Sequence, residues 1–582
     1  MNLYCTLVSE MYKYSFGNYN PWQVPFKERE SMALTCAQND SVATQLLLYS
    51  YEECMITLDT APAFYETYPV KTIRVEAAFE GLEDSQIETA FVELVRDDDG
   101  NYKSEALLAK QRKYNEKLKV QPIWIEVKTG KNTKPGQYVG KIGVYYSDLF
   151  GDEVLHKELE VHLEVVPVVL KDLHEGDFYL DLWQHHTSIA RTYEVKLWSD
   201  AHFQLMENHL KVLQELGQKA ITVIVSDAPW SGQWSTYYRT NPSDYFEYNM
   251  IGVTLDREGN WQYDFTAMNR YVELCLKYNI DKEIEIFGLL GVWTMPDAGY
   301  GKVIEDSDDA VRIRYFDEAS RTYKYIRKRK DLESYIRALD ENIYRNEWQE
   351  LAKIVCDEPS DIELFKTVLK ELRPLTPHMK FKVTICSLEV VLADFEGIDD
   401  YVINLPLVLA EEERIKEIRA KQELAMSYYV AIDPKNPNTF IRCHLAESRF
   451  LPWLSLYMNM DGFLRWAIWL WPNEPFDFDS YHYQKFQAGG THFVYPGKAG
   501  HPLYSLRFKN LKKGIRDYLI FKAYIEKTGD EAGVHKAIAS IMKVDSLEQM
   551  QGKYRKTADE IISLNYADYE SIVNGFLKQL HK

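Results

Sequence analysis

The sequence lacks the features that mark several protein classes. Its seven cysteines are odd in number, scattered and without a C-x-x-C pair, which argues against a disulfide framework and against a structural zinc site. No stretch approaches the roughly 18 uninterrupted apolar residues of a membrane helix. The 68 basic and 88 acidic residues leave a formal net charge of −20, which repels phosphate backbones and anionic membrane surfaces. We therefore predict neither nucleic acid nor a membrane as a partner.

The amino terminus has no basic n-region and no apolar h-region, so a secretory signal is not visible and we expect a cytoplasmic protein. Hydrophobic residues make up 46% and charged residues 27% of the 582 positions, which is typical of a cored globular protein of two or three domains. The sequence does not indicate an oligomeric state.

Common cofactor and nucleophile motifs are also missing. Neither G-x-G-x-x-G nor G-x-x-x-x-G-K-[ST] follows the first predicted α/β strand, and neither G-x-S-x-G nor H-E-x-x-H occurs. The neighbours His185 and His186 point opposite ways on an extended chain and rarely bind one ion. We predict no cofactor and no metal site.

From about residue 40 to 167 apolar and polar residues alternate with period two, which predicts β-strands with one buried face. Leu159, Val161 and Leu163 alternate with charged residues, and Asp97-Asp-Asp-Gly100 supplies turn chemistry between two such runs. An antiparallel β-sandwich over residues 1–172 is the predicted assembly.

Beyond residue 173, short apolar runs alternate with amphipathic helices, an order that favours parallel strands joined by crossover helices. One of these helices is predicted to begin after Ser199 and to stop at Gly217. The eight candidate strands are Phe178–Trp183, Ala220–Val225, Ile284–Leu290, Leu351–Cys356, Lys380–Ile385, Tyr401–Leu405, Met426–Ala431 and Gly462–Ile468.

Eight such units predict a (β/α)8 barrel over residues 173–526, followed by a helical appendage over 527–582. An open doubly wound sheet is the alternative, and the missing phosphate-binding fingerprints count against it. Val311–Tyr315 and Tyr323–Arg327 are interpreted as a hairpin inserted between the third and fourth units.

The strongest candidate for catalysis is Asp357-Glu358, which directly follows the fourth predicted strand. Catalytic groups of such barrels lie past the carboxyl ends of the strands. Repulsion and partial burial of two neighbouring carboxylates would favour one protonated carboxyl, as a general acid requires. The alternative is that both charges only complement the positive end of the next helix.

The residues around this pair allow two local predictions. Ser360 and Glu363 match the S-x-x-E capping box, which places the helix start at Ser360. Pro359 disfavours helical geometry at the residue before it, so Glu358 is predicted to be extended.

Aromatic residues make up 14% of the chain, and several tryptophans lie near predicted strand ends. Indole faces suit the C–H faces of pyranose rings, although core packing is the alternative for each ring. Trp469 and Trp471, past the last strand, are the better candidates for a wall of the site. The tryptophans near strand ends are Trp183, Trp230, Trp293, Trp466, Trp469 and Trp471.

Several motifs give the chain a family resemblance. It resembles the family called domain of unknown function 4091, which contains the catalytic domain of glycoside hydrolase family 123, and the resemblance runs through nearly the whole chain. The motifs are Asp181-Leu-Trp-Gln-His185, Leu197-Trp-Ser199, Gly217-Gln-Lys-Ala-Ile-Thr222, Asp357-Glu-Pro359, Asn438-Thr-Phe440, Leu445-Ala-Glu-Ser-Arg449 with Leu451-Pro-Trp453, Asp461-Gly-Phe-Leu-Arg-Trp466 and Val494-Tyr-Pro-Gly497.

The resemblance implies a β-sandwich followed by a (β/α)8 barrel, and exo-acting, retaining β-N-acetylgalactosaminidase chemistry in which the sugar's own acetamido oxygen attacks the anomeric carbon. Asp357 would stabilise the oxazolinium ion, and Glu358 would be the general acid and base. The expected partner is a small carbohydrate substrate, with no cofactor. Its expected binding residues are Trp183, His185, Asn404, Tyr429, Trp466, Trp469 and Trp471.

Two alternatives remain open at this stage. The enzyme could act on a β-linked sugar without an acetamido group, or the chain could be a carbohydrate-binding protein of the same fold whose carboxylate pair is inert.

Overall fold

A computed structural model describes residues 2–17, 28–60, 71–148, 151–230, 246–291, 303–307, 309–393, 395–477 and 486–582. Two six-stranded sheets form the amino-terminal part. The first has the order Leu3–Ser9, Ser41–Ser50, Val120–Lys128, Ile87–Arg96, Tyr102–Leu108, Ser15–Phe16. The second has the order Ser31–Gln38, Val154–Val169, Gly136–Ser147, Thr72–Phe79, Cys54–Thr57, Arg112–Asn115.

The facing sides of these sheets bury one apolar core, which includes Leu46, Phe91, Ile142 and Leu159. The alternation predicted from the sequence produces this arrangement, because residues two apart share a sheet face. Most pairs are antiparallel as predicted, but Ser31–Gln38 runs parallel to Val154–Val169, and Cys54–Thr57 runs parallel to Thr72–Phe79. Period two carries no information on strand direction, so the sequence could not reveal these two pairs.

The second part is a nearly closed barrel of eight parallel strands, which confirms the predicted fold. We number them barrel strands 1 to 8 along the chain, and their order in the sheet is 1-8-7-6-5-4-3-2. Their bounds are Tyr179–Leu182, Ala220–Ile224, Glu283–Phe287, Ala352–Asp357, Lys380–Ile385, Ile398–Asn404, Ala425–Tyr429 and Gly462–Arg465. Each end lies within three residues of its prediction.

Helices alternate with the barrel strands and continue to the carboxyl terminus. The helix Asp200–Leu216 begins and ends as predicted, since the Ser199 side chain accepts a hydrogen bond from His202 N and Gly217 adopts a φ of 84°. The other α-helices among the described residues are His186–Thr192, Thr266–Lys277, Arg329–Arg345, Ile362–Leu372, Glu389–Leu392, Leu405–Ala410, Glu412–Lys421, Leu445–Tyr457, Leu506–Thr528, Glu531–Ala539, Ala558–Ile561 and Tyr566–His581.

The predicted inserted hairpin is present as Arg314–Asp317 and Thr322–Tyr325. It belongs to a four-stranded sheet together with Gly252–Leu255 and Trp261–Asp264, two strands that sequence reasoning missed. The predicted domain boundaries at residues 172 and 526 stay predictions.

Side-chain amides close the barrel between strands 1 and 2. Leu182 N donates to Gln218 Oε1 (2.9 Å), and Thr222 N donates to Gln184 Oε1 (2.7 Å). In return, Gln184 N donates to Thr222 Oγ1 (3.0 Å). These bonds satisfy backbone groups that a regular strand ladder would otherwise pair.

The barrel interior contains buried charged residues. Lys382 Nζ lies 2.9 Å from Asp181 Oδ2 and 2.7 Å from Glu285 Oε1, and all three side chains are fully buried. They come from barrel strands 5, 1 and 3, which are not neighbours, so they meet on the barrel axis. Burial, and then the nearby Asp181 carboxylate, raise the pKa of Glu285 well above its usual range.

One helix joins the barrel to the sandwich through buried ion pairs. Arg507 Nε lies 2.6 Å from Glu105 Oε1, and Lys509 Nζ lies 2.8 Å from Glu126 Oε2. The two cations belong to the helix Leu506–Thr528, and the two carboxylates belong to the first sheet of the sandwich. Among the described residues, no helix is both long enough and apolar enough to cross a membrane.

Candidate active site

The Asp357-Glu358 pair lies at the carboxyl end of barrel strand 4, as predicted. Asp357 is the last residue of the strand and is only 7% exposed, whereas Glu358 is half-buried. Carboxyl ends of parallel barrel strands meet at one face of the barrel, where catalytic groups of this fold are found. The pair is therefore placed where chemistry is expected.

Thr384, on the neighbouring barrel strand 5, contacts both members of the pair. Its hydroxyl donates to Asp357 Oδ1 at 2.6 Å and accepts from Glu358 N at 2.9 Å. Glu358 N also lies 3.1 Å from the carbonyl oxygen of Thr384. The carboxylate of Asp357 and the backbone amide of Glu358 are thus both tied to strand 5 by one buried residue.

The backbone of Glu358 contradicts the extended geometry predicted from Pro359. Its φ is 52°, in the left-handed region that non-glycine residues adopt at a cost of about 1 kcal/mol or more. Pro359 disfavours the right-handed helical region, and the bonds from Glu358 N to Thr384 then select left-handed rather than extended geometry. Such strain is typical of functional sites, where surrounding contacts maintain it.

Tyr429, the last residue of barrel strand 7, donates a hydrogen bond from its hydroxyl to Glu358 Oε1. Burial, and then the negative charge of Glu358, raise the pKa of Tyr429 well above its usual range, so this phenol keeps its proton throughout the working pH range. The exposed Cys386 lies 3.1 Å from the same hydroxyl through its Sγ. Each carboxylate therefore has its own hydroxyl partner, Thr384 for Asp357 and Tyr429 for Glu358.

The helix after the pair begins one residue later than predicted from the capping box. Asp361 is the N-cap, and its Oδ1 accepts from Leu364 N at 2.9 Å. Ser360 is exposed in the turn before it. Asp and Ser are comparable caps, so the sequence pattern alone could not separate the two positions.

A second group of predicted residues surrounds His185, just past barrel strand 1. Its Nε2 lies 3.0 Å from the carbonyl oxygen of Trp466, and its ring lies 4.9 Å from that of Trp230. Trp230 in turn stacks on Trp183 at 5.8 Å. These residues follow barrel strands 1, 2 and 8, none of which neighbours strand 4 in the sheet, so the aromatic group and the carboxylate pair lie on different sides of the same barrel face.

Glu247 contacts His185 of this aromatic group, and sequence reasoning missed it. Its Oε1 lies 3.5 Å from His185 Nδ1, and its Oε2 accepts from Thr187 N at 3.0 Å. Burial opposes its ionisation, but contact with His185 and the field of His186 lower its pKa overall. No motif or strand signal surrounds residue 247, so nothing in the sequence indicated this buried carboxylate.

The remaining predicted residues lie in different surroundings. Asn404 ends barrel strand 6 and is half-buried at the same face of the barrel. Trp469 and Trp471 are 1% and 0% exposed, and their rings lie 5.1 and 5.5 Å from that of His209. Trp183 and His185 are as deeply buried, at 2% and 1% exposed, so burial does not decide between core packing and substrate contact, and the role of Trp469 and Trp471 stays a prediction. Trp293 lies outside the described residues.

His186 faces away from the site. Its Nε2 lies 2.9 Å from the carbonyl oxygen of Thr222, and its ring lies 4.3 Å from that of Tyr271. Burial lowers the pKa of His186 to about 4, so this imidazole is neutral near pH 7. In the described ranges, no three His, Cys, Asp or Glu side chains are arranged to hold a metal ion.

Comparison with known proteins identifies the family. The profile of the glycoside hydrolase 123 catalytic domain matches residues 183–524, more than half of the chain. The chain belongs to glycoside hydrolase family 123. It is a glycoside hydrolase by family, and the Asp357-Glu358 pair lies within the matched region. No curated protein sequence matches it.

Among solved structures, this family 123 chain is similar to a family 123 glycoside hydrolase from Clostridium perfringens, studied for glycolipid glycan hydrolysis. The two share 18% identity over 100% of this chain and 97% of the other, with a TM-score of 0.75; at that identity the likeness shows the fold. A β-D-glucuronidase from Dictyoglomus thermophilum shares 12% identity over 73% of this chain and 64% of its own, with a TM-score of 0.27, too low to support an argument.

Proposed function

We propose that this family 123 glycoside hydrolase is an exo-acting, retaining β-N-acetylhexosaminidase that prefers N-acetylgalactosamine and uses the substrate's acetamido group as nucleophile. The observation that carries the proposal is the separate support of the two neighbouring carboxylates. Asp357 is held by Thr384, and Glu358 is held by Tyr429. Two carboxylates that are next to each other in sequence but differently supported suit two different roles.

In the first step, the acetamido carbonyl oxygen attacks the anomeric carbon while the bond to the leaving oxygen breaks. Glu358 gives its proton to that oxygen. Asp357 accepts a hydrogen bond from the acetamido N–H, and its negative charge balances the positive charge of the oxazolinium ion. In the second step, Glu358 takes a proton from water as the water attacks the anomeric carbon. The bond from that carbon to the acetamido oxygen breaks, which opens the oxazolinium ring. Two displacements at one carbon retain its configuration, without an enzyme nucleophile.

The aromatic group on the same barrel face supports a sugar substrate. Trp230 and Trp466 flank His185, and Trp183 stacks on Trp230. Aromatic faces with nearby polar groups are the usual surroundings of a bound pyranose. We therefore assign substrate contacts to this group, to Asn404 and to Tyr429. The cytoplasmic location stays a prediction, which cell fractionation can check.

The test is a panel of chromogenic β-glycosides with and without a 2-acetamido group, assayed with wild type, Asp357→Asn and Glu358→Gln. We expect turnover only with acetamido sugars. Glu358→Gln should spare a substrate with a very good leaving group, whereas Asp357→Asn should lower turnover with every leaving group. Glu363→Gln is the matched control, because Glu363 is an exposed carboxylate on the adjacent helix, paired with Lys366.

Each outcome separates the alternatives. Comparable turnover of sugars without the acetamido group would replace substrate assistance by another glycosidase mechanism. Wild-type activity in either carboxylate variant would remove that residue from the site. A thiazoline analogue of the oxazolinium ion should bind much more tightly than N-acetylgalactosamine itself, and equal affinities in calorimetry would favour an inert sugar-binding protein.

A further inference from the structure

We propose that Thr384 is a positioning residue that links the backbone amide of Glu358 to the carboxylate of Asp357, so that the backbone of Glu358 sets the orientation of the Asp357 side chain. This proposal rests on the function proposed above. Thr384 is 1% exposed, and it is the direct partner of Asp357 in the parallel pairing of barrel strands 4 and 5. Because Thr384 is buried, we expect it to influence the reaction only through its contacts with Asp357 and Glu358.

The direction of each hydrogen bond follows from the chemistry of the groups. A backbone N–H can only donate, so Thr384 Oγ1 accepts from Glu358 N at 2.9 Å. The hydroxyl has one proton of its own, and it points to Asp357 Oδ1 at 2.6 Å. The amide of one catalytic residue thus orients the hydroxyl that holds the carboxylate of the other.

The left-handed backbone of Glu358 fits this account. A φ of 52° turns the amide of Glu358 towards strand 5, where it meets both Thr384 Oγ1 and the Thr384 carbonyl oxygen at 3.1 Å. The strain at Glu358 is therefore maintained by the same residue that holds Asp357. The branched side chain of Thr384 has few χ1 rotamers, which keeps its hydroxyl in this position.

Thr384→Val removes the hydroxyl and keeps the shape. Glu358 N retains the carbonyl oxygen as a partner, but Asp357 loses a charge-assisted hydrogen bond that restrains its rotation. We expect kcat/KM for aryl β-N-acetylgalactosaminides to fall about 10- to 100-fold. The fall should be the same for poor and good leaving groups, because oxazolinium formation needs Asp357 in every case. Thr384→Ser should retain at least about a third of the wild-type value.

Ligand binding distinguishes positioning from a merely structural role. The thiazoline analogue should lose affinity by about the same factor as kcat/KM, whereas N-acetylgalactosamine should change by less than about threefold. In an Asp357→Ala background, Thr384→Val should cause no further loss of thiazoline affinity, because the two residues act as one unit. A structural role would instead weaken both ligands equally and add to the Asp357→Ala effect.

Thr222→Val is the matched control. Thr222 is equally buried on barrel strand 2, where its hydroxyl accepts from Gln184 N at 3.0 Å, so its loss should lower stability without changing the ratio of thiazoline to sugar affinity. Thr384→Ala replaces Thr384→Val if the valine variant does not fold, and is judged by the same criteria.

The two proposals fail in different ways. Wild-type kinetics in Thr384→Val, beside inactive Asp357→Asn and Glu358→Gln, would overturn the role of Thr384 and leave the proposed function standing. Wild-type activity in Asp357→Asn would overturn both.

Discussion

Replacing Tyr429 with phenylalanine removes one oxygen atom and, with it, the hydrogen bond to Glu358 Oε1. Since burial and the charge of Glu358 raise the pKa of Tyr429 well above its usual range, the phenol is a donor at every working pH. The bond becomes stronger as Glu358 gives its proton to the leaving oxygen and acquires negative charge. Tyr429 therefore stabilises the transition state of protonation more than the state before it.

A hydrogen bond to a charged group contributes about 1.5 to 3 kcal/mol, which corresponds to a loss of roughly 10- to 150-fold in rate. We expect this full loss in rate for substrates whose leaving oxygen must be completely protonated before it departs. It should shrink to a few-fold with a nitrophenyl leaving group, which departs with little protonation. We expect kcat to fall more than KM rises, because the interaction is made late in the reaction.

The assay is kcat/KM for a series of aryl β-N-acetylgalactosaminides of increasing leaving-group pKa. Tyr428→Phe is the matched control, because this neighbouring tyrosine is also buried and donates to the carbonyl oxygen of Leu451 at 2.7 Å, away from the carboxylates. Equal losses for all leaving groups, or a loss below about threefold for the poorest one, would refute the reasoning.

Three further substitutions test other parts of the structure. Asp361→Ala should lower the free energy of unfolding by about 1 kcal/mol, whereas Ser360→Ala should change it by less than about 0.5 kcal/mol. Urea titration compares the two variants, and a larger loss in Ser360→Ala would show that Ser360 is the cap after all. Gln218→Leu should cost on the order of 2 kcal/mol or more, because it strands backbone groups of strands 1 and 2; an unchanged melting temperature would contradict the closure described for the barrel. Burial raises the pKa of Glu10 from 4.5 to about 7, so between these two values the native state holds a proton that the unfolded chain has released. This contribution to stability is lost as pH rises from about 4.5 to 7. Glu10→Gln should therefore gain on the order of 2 kcal/mol relative to wild type over that range, and parallel pH profiles of the two proteins would show that Glu10 titrates normally.

The fold was largely predictable, because apolar periodicity survives where strands and helices bury one face. The limits of that reasoning appear in barrel strand 3, where Ile284 and Ile286 alternate with Glu283 and Glu285. In this barrel the carboxylates point to the axis, where they meet Lys382, and the apolar side chains face outwards. Alternation predicts two different faces of a strand but does not say which of them is the interior.

The site was predictable only where it is local in sequence. Asp357 and Glu358 could be found because strand, carboxylates and helix follow one another directly. Thr384 lies 26 residues after Glu358 and Tyr429 lies 71 residues after it, at the ends of other strands. Their contacts with the pair depend on strand register, which apolar patterns do not encode residue by residue.

The buried ion pairs between the sandwich and the helix Leu506–Thr528 restrict how such proteins can be recombined. Arg507 and Lys509 are desolvated, and their carboxylate partners Glu105 and Glu126 come from the sandwich. A grafted sandwich without acidic residues at these two places would leave each cation buried and unpaired, at a cost of about 3 to 5 kcal/mol each. A stable chimera must therefore take the helix and the sandwich from the same parent protein. The two segments have to be exchanged together, although they lie some 400 residues apart in the chain.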